Sequence, residues 1–227
     1  MRRNYWLSGL LVMMLGIAAC SPQTTDDGRV IFYQDDFSDP DSSDWDVYFG
    51  EQGSAGYADE AYVITLTTEN MLLWGNANLG DPIDSARIAV NVQNLNIEEQ
   101  GSFGILCYYD ADTLSYYYFE VATDSYRAIV KVENGVIVDY VAPDRRDEEA
   151  IPANAENYQL EVICAPGEQV LLVNGVEVAR AADASLQAGD VGLFAASLTT
   201  SNVVMQFDDF LVTEVEPSRP PKTEQSP

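Results

Sequence analysis

From Ile31 to Val212 the chain alternates apolar and polar residues in one short run after another, and no window carries a convincing helical stripe. The runs are Ile31 to Phe37, Tyr62 to Thr67, Ala86 to Val92, Phe103 to Tyr109, Tyr116 to Val121 and Tyr126 to Val132. Val136 to Val141, Tyr158 to Cys164, Val170 to Val173, Val176 to Ala179, Val191 to Ala195 and Val203 to Val212 follow. Each is rich in Val, Ile, Tyr or Phe and is bounded by Gly, Asp, Asn or Pro, the pattern of a half-buried strand. Asn134-Gly135 and Asn174-Gly175 each join two runs, the dipeptide that tight hairpin turns favour. The expectation is an all-β fold, an antiparallel β-sandwich of jelly-roll type.

Alternation also assigns faces. Phe103, Ile105, Cys107 and Tyr109 are expected to point inward, as are Leu160, Val162 and Cys164. Both cysteines therefore land on the core side. In an oxidising compartment they read as a disulfide between strands; two buried thiols are the alternative.

The compartment follows from the N-terminus. Met1 to Asn4 is charged, Tyr5 to Ala19 is apolar, and Ile17-Ala-Ala-Cys20 ends the run with small residues before a cysteine. This order resembles a bacterial lipoprotein signal, in which Cys20 carries the lipid; Ile17 stands where leucine is usual. An ordinary secretory signal or a short anchor are the alternatives, but the apolar run is shorter than the ~20 residues that span a bilayer. The expected organisation is a leader over 1–19, a lipidated cysteine and flexible tether over 20–29, a sandwich over 30–215 and a disordered tail over 216–227. Acyl chains would hold the domain at a cell membrane or outer membrane, outside the cytoplasm.

Without the leader, which takes Arg2 and Arg3 and no acid, nine basic residues face 37 acidic ones, a formal charge of −28. Such a surface repels nucleic acid. It attracts cations or basic partners, or simply keeps an exported protein soluble. The chain has no histidine, which removes the commonest metal ligand and general base.

Several motifs together resemble a family: Asp35-Asp-Phe-Ser-Asp39, Trp45-Asp-Val47, Tyr57-Ala-Asp-Glu-Ala-Tyr62 and Leu72-Leu-Trp-Gly75 in the first half. Phe103-Gly-Ile-Leu-Cys107, Tyr116-Tyr-Tyr-Phe-Glu120, Leu172-Val-Asn-Gly175, Gly189-Asp-Val-Gly-Leu193 and Phe207-Asp-Asp-Phe210 continue the series. The set is similar to concanavalin A-like, laminin G-type sandwiches, especially the exported bacterial branch related to 3-keto-disaccharide hydrolases. The resemblance runs from about Val30 to Val215 and rests on turns, core aromatics and paired terminal strands. It implies a fold rather than a function, because the fold hosts binding modules, enzymes and adhesion domains alike.

It also implies that one sheet carries ligand-facing side chains. If the inward sets are right, Leu106, Tyr108, Tyr116, Tyr118, Glu120, Arg127, Ile129 and Lys131 share the other face. Tyrosine rings beside Glu and Arg suit sugar recognition, and Trp74 joins the candidates with its facing left open. The plain alternative is that such residues are merely favourable on a half-exposed sheet. Asp-Asp-Phe recurs at 35–37 and 208–210; if Phe37 and Phe210 face the core, Asp35 and Asp208 do too. Carboxylates there need donors or a cation, and relatives often hold a structural calcium near paired strand ends. The alternative is that both acids are in water.

Asp39 to Asp46 resembles a calcium loop superficially, but Asp44 and Gly50 stand where glycine and glutamate are required. No Glu-x-Asp-x-x-Glu run occurs. Glu120 and Asp124 are ~13 Å apart along an extended strand, too far for a retaining glycosidase pair. The reading is a lipid-anchored, non-catalytic carbohydrate-binding module at the cell envelope. The alternatives are a lipoprotein that binds an envelope protein and, behind it, a divergent hydrolase.

Overall fold

A computed structural model describes residues 23–25, 28–42 and 45–215. The leader with Cys20, part of the tether and the tail from 216 lie outside the described residues. Fifteen strands are described: β1 (Ile31–Asp35), β2 (Tyr48–Gly50), β3 (Gly53–Ala58), β4 (Ala61–Leu66), β5 (Met71–Asn76), β6 (Ala86–Asn94), β7 (Gly101–Asp110) and β8 (Ser115–Ala122). β9 (Tyr126–Glu133), β10 (Val136–Arg146), β11 (Asn157–Ala165), β12 (Glu168–Val173), β13 (Val176–Ala181), β14 (Asp190–Ser197) and β15 (Val203–Thr213) complete them.

They form two antiparallel sheets. One has nine strands in the order β13-β12-β11-β6-β15-β4-β3-β2, with β1 added against β15; the other has six, β10-β9-β8-β7-β14-β5. Between them lies a single large core that includes Phe103, Ile105, Phe119, Leu160, Phe207 and Phe210. The expected jelly-roll sandwich is therefore what the chain forms.

The two Asn-Gly hairpins are present. Asn134 and Gly135, like Asn174 and Gly175, all have positive φ, which the right-handed twist of the flanking strands demands. β2, β3 and β5 escape a reading by alternation. Glycines dilute β3, and its turn uses Asp59 and Glu60, both with positive φ, without a glycine. β5 is Met-Leu-Leu-Trp-Gly-Asn and does not alternate.

Cys107 on β7 and Cys164 on β11 form the expected disulfide, which ties the two sheets together through the core. The chain entering β1 is tied down as well. Thr24 bridges Val30, and Ile31 N donates to Gln23 O at 2.9 Å.

Candidate functional site

The outer face of the six-stranded sheet, turned away from the core, is itself apolar. Leu106, Tyr118, Ala128, Val130, Val132 and Phe194 form a second buried cluster there, with Trp74, Tyr109 and Tyr116 packed against it. Register explains why these residues meet. Trp74 stands opposite Phe194, Phe194 opposite Gly104, and Gly104 opposite Glu120; Leu106 stands opposite Tyr118 and Tyr118 opposite Val130. The rings form a chain: Trp74 to Tyr109 at 6.4 Å, Tyr109 to Tyr116 at 5.6 Å, Tyr116 to Tyr118 at 6.3 Å and Tyr118 to Phe194 at 5.5 Å.

Tyr109 reaches this face because of a bulge. Cys107 pairs with Val191, and the next pair is Tyr109 with Asp190, which leaves Tyr108 as an extra residue with φ 56°. A bulge inserts one residue and reverses the alternation beyond it. The expectation is thereby corrected twice: Tyr108 is in the core and Tyr109 is outside. The Tyr108 hydroxyl donates to Asp84 O at 2.8 Å, and its ring lies 6.1 Å from that of Tyr117. Gly189 permits the bulge, since a Cβ there would lie 2.3 Å from the Tyr108 carbonyl carbon.

The expected facing of β9 is also corrected. Val130 opposes Tyr118 and Ala128 opposes Glu120, so Arg127, Ile129 and Lys131 point the other way. Ile129 belongs to the main core. Lys131 Nζ donates to Asp183 Oδ2 at 3.3 Å and Ser185 Oγ at 3.1 Å. Arg127 borders the groove, but its Nη1 donates to Pro143 O at 3.0 Å. The β8–β9 turn sets this register, and alternation within either strand carries no record of it.

β10 bends over the sheet, its register against β9 shifting three times. With β8, β5 and the end of β14 it encloses a groove of about 590 Å³, lined by Met71, Leu72, Tyr118, Tyr126, Ile137 and Tyr140 among others. Glu120, Asp124 and Asp144 supply its charge. Burial pushes the Glu120 carboxyl above its ordinary value; the Ser102 hydroxyl opposes this, and the charges of Asp144 and Asp124 reinforce it. No described ion pair involves Glu120. Asp124 pairs with Arg146 at 3.5 Å, and that guanidinium lies 4.6 Å from the centre of the Tyr126 ring. Phe194, Met71, Tyr126 and Tyr140 were not among the sequence candidates, because only the register and the curl of β10 bring them here.

Asp35 and Asp208 do not both face the core as expected. Asp35 is half-buried: its Oδ1 accepts from Phe37 N at 2.7 Å, and its Oδ2 from Tyr57 OH at 2.8 Å and Tyr33 OH at 3.3 Å. Protein donors thus meet the need for which a cation was invoked. Asp208 points away from the core, because β15 bulges between Asp208 and Leu211, with Asp209 at φ 53°. Phe207 and Phe210 can then both face inward with Asp208 outside. The described residues contain no cluster of three or more His, Cys, Asp or Glu that could hold a metal ion.

No family model matches the chain, and no curated protein matches its sequence. Solved structures do share its fold. A carbohydrate binding module, CBM66, from Bacillus subtilis aligns with a TM-score of 0.59 and 14% identity over 77% of this chain and 98% of that one. A Bacillus subtilis protein of unknown function with a galectin-like fold gives 0.61 and 10% over 86% and 97%. A Bacillus licheniformis beta-glucanase gives 0.56 and 10% over 81% and 97%. At such identities the likeness concerns the fold.

Proposed function

We propose that this chain is a non-catalytic carbohydrate-binding protein, held at the outside of a cell membrane by lipid on Cys20. Its sugar lies along the outer face of the six-stranded sheet. The observation that carries this reading is the ring chain from Trp74 through Tyr109 and Tyr116 to Tyr118, leading to the Glu120 carboxyl in a groove. Ring faces pack on the C–H faces of a pyranose, and a carboxylate accepts from its hydroxyls. A carbohydrate binding module and a glucanase of the same fold support it. The export signal ending at Cys20 supports the address.

The test is a broad glycan array probed with the full chain, with calcium and then with chelator, repeated with Tyr116→Ala. Saturable binding to one glycan class, weakened at least tenfold by the substitution, is expected. Loss with chelator would add a structural calcium, which the sequence raised as an expectation. No binding in either condition would overturn the reading in favour of an envelope protein partner.

One observation favours a hydrolase as the second reading. A half-buried carboxyl held above its ordinary value, with Asp124 and Asp144 on the same groove, suits a general acid. Turnover of an oligosaccharide that Glu120→Gln abolishes would establish it.

A further inference from the structure

The opposite side of the sandwich carries a second feature of a different kind. On the outer face of the nine-stranded sheet, Gln206, Gln93 and Asn157 stand abreast on β15, β6 and β11. In the next row Asp208, Asn91 and Gln159 stand abreast, and Asn174 Oδ1 accepts from Gln159 N at 3.0 Å. These side chains line an open cleft of about 500 Å³.

The composition of this patch is unusual for its setting. The chain has 37 acidic residues, yet six of these seven positions are neutral amides. Asparagine is disfavoured in strands, so solvation alone gives no reason for it at the Asn91 and Asn157 positions. From the very next row the same face turns to an ordinary ion pair, Glu161 with Arg87. Neighbouring acids orient two of the amides: Asn91 Nδ2 donates to Asp209 Oδ2 and Gln93 Nε2 to Glu156 Oε1, each at 2.9 Å. Among the described residues, the side-chain amides of Asn157, Gln159 and Gln206 engage no protein partner. An amide both donates and accepts, which matches a hydroxyl group; a carboxylate only accepts. Asp208, with Asp209 and Glu156 beside the amides, turns away an anionic partner and leaves the hydroxyls of an uncharged sugar to be bound.

We propose that this amide cleft is a second glycan site, taking a neutral oligosaccharide through its hydroxyls alone, without ring stacking. With the aromatic groove on the other sheet, it would let one molecule hold two sugar chains from opposite faces. The site stands whether or not the groove binds sugar.

The test is a titration of the ¹⁵N-labelled full chain with cellohexaose, laminarihexaose, maltohexaose and an inulin-type fructo-oligosaccharide, one at a time. It follows the side-chain NH₂ signals of Asn91, Gln93, Asn157 and Gln206. At least one probe is expected to shift them saturably. The double variant Asn157→Asp/Gln206→Glu loses two sets of donors without losing side-chain volume, and should weaken that binding about tenfold or more. Its unchanged backbone spectrum will show that it folds. Tyr116→Ala should leave these shifts in place. No movement of these amides with any probe would overturn the proposal, as would movement that the double variant leaves intact. Shifts confined to residues around Tyr118 would sustain the groove and reject this site.

Discussion

Replacing both core cysteines, Cys107→Ala with Cys164→Ala, should cost the domain about 4 kcal/mol of stability. The figure follows from the 57-residue separation of the two cysteines. The loop-closure relation assigns a cross-link of that span about 14 cal/mol/K of denatured-state entropy, or about 4 kcal/mol at 25 °C. Both cysteines are fully buried, so the missing sulfurs add a packing loss of the same sign. For a domain of this size each kcal/mol moves the Tm by about 2–4 °C, which gives a fall of about 8–16 °C. Urea denaturation followed by tryptophan fluorescence, with calorimetry alongside, measures it. The m-value should rise, because the uncrosslinked denatured chain exposes more surface. Wild-type protein unfolded and refolded with its disulfide reduced should fall between the two. A loss under about 1 kcal/mol would refute the reasoning, since it would mean that the two sheets hold together without help from the cross-link.

Other outcomes follow from the site and its supports. Glu120 has a folded pKa raised above its ordinary 4.5, so the folded state is penalised increasingly as pH rises from that ordinary value, and fully once pH exceeds the shifted one. Glu120→Gln should therefore stabilise the protein at pH 7–8, and the gain should vanish as pH falls through the ordinary glutamate range; a constant gain across pH would refute this. Asp183 behaves oppositely. Although burial would raise its pKa, hydrogen bonds from Ser185, Tyr117 and Lys131 hold it far below the ordinary 3.8. Asp183→Asn should cost about 1–3 kcal/mol. The cost should be constant from pH 8 to 5 and close only in strong acid, as pH-dependent urea midpoints will show. Gly104→Ala places a Cβ 1.8 Å from Phe119 O and 2.8 Å from the Phe194 ring. It should destabilise by about 1–3 kcal/mol and weaken any sugar binding in the groove, and a variant with wild-type Tm would show that the sheet yields there.

What could be read from the residues in order was whatever depends on near neighbours. Period-two alternation exposed twelve of the described strands, and the two Asn-Gly pairs marked their hairpins, because side-chain direction and turn φ are set within a few residues. Cys107 and Cys164 were placed in the core by counting along two separate strands, and their partnership followed. Tyr116, Tyr118 and Glu120 were assigned correctly to one face for the same reason.

Tertiary structure decided the rest. One extra residue at Tyr108 exchanged the roles of two adjacent tyrosines, and another between Asp208 and Leu211 turned an aspartate expected inside toward water. The register of β8 against β9 sent Lys131 to Asp183 instead of the groove. The curl of β10 made a wall from residues that alternation alone leaves on a flat edge. In each case strands distant in sequence settle which residue stands opposite which. A slip of one position costs nothing locally, but it moves every side chain beyond it to the other face. Thus sequence by itself determined the sandwich and the core side of its cysteines, whereas long-range strand pairing decided which aromatic and charged groups meet on its surface.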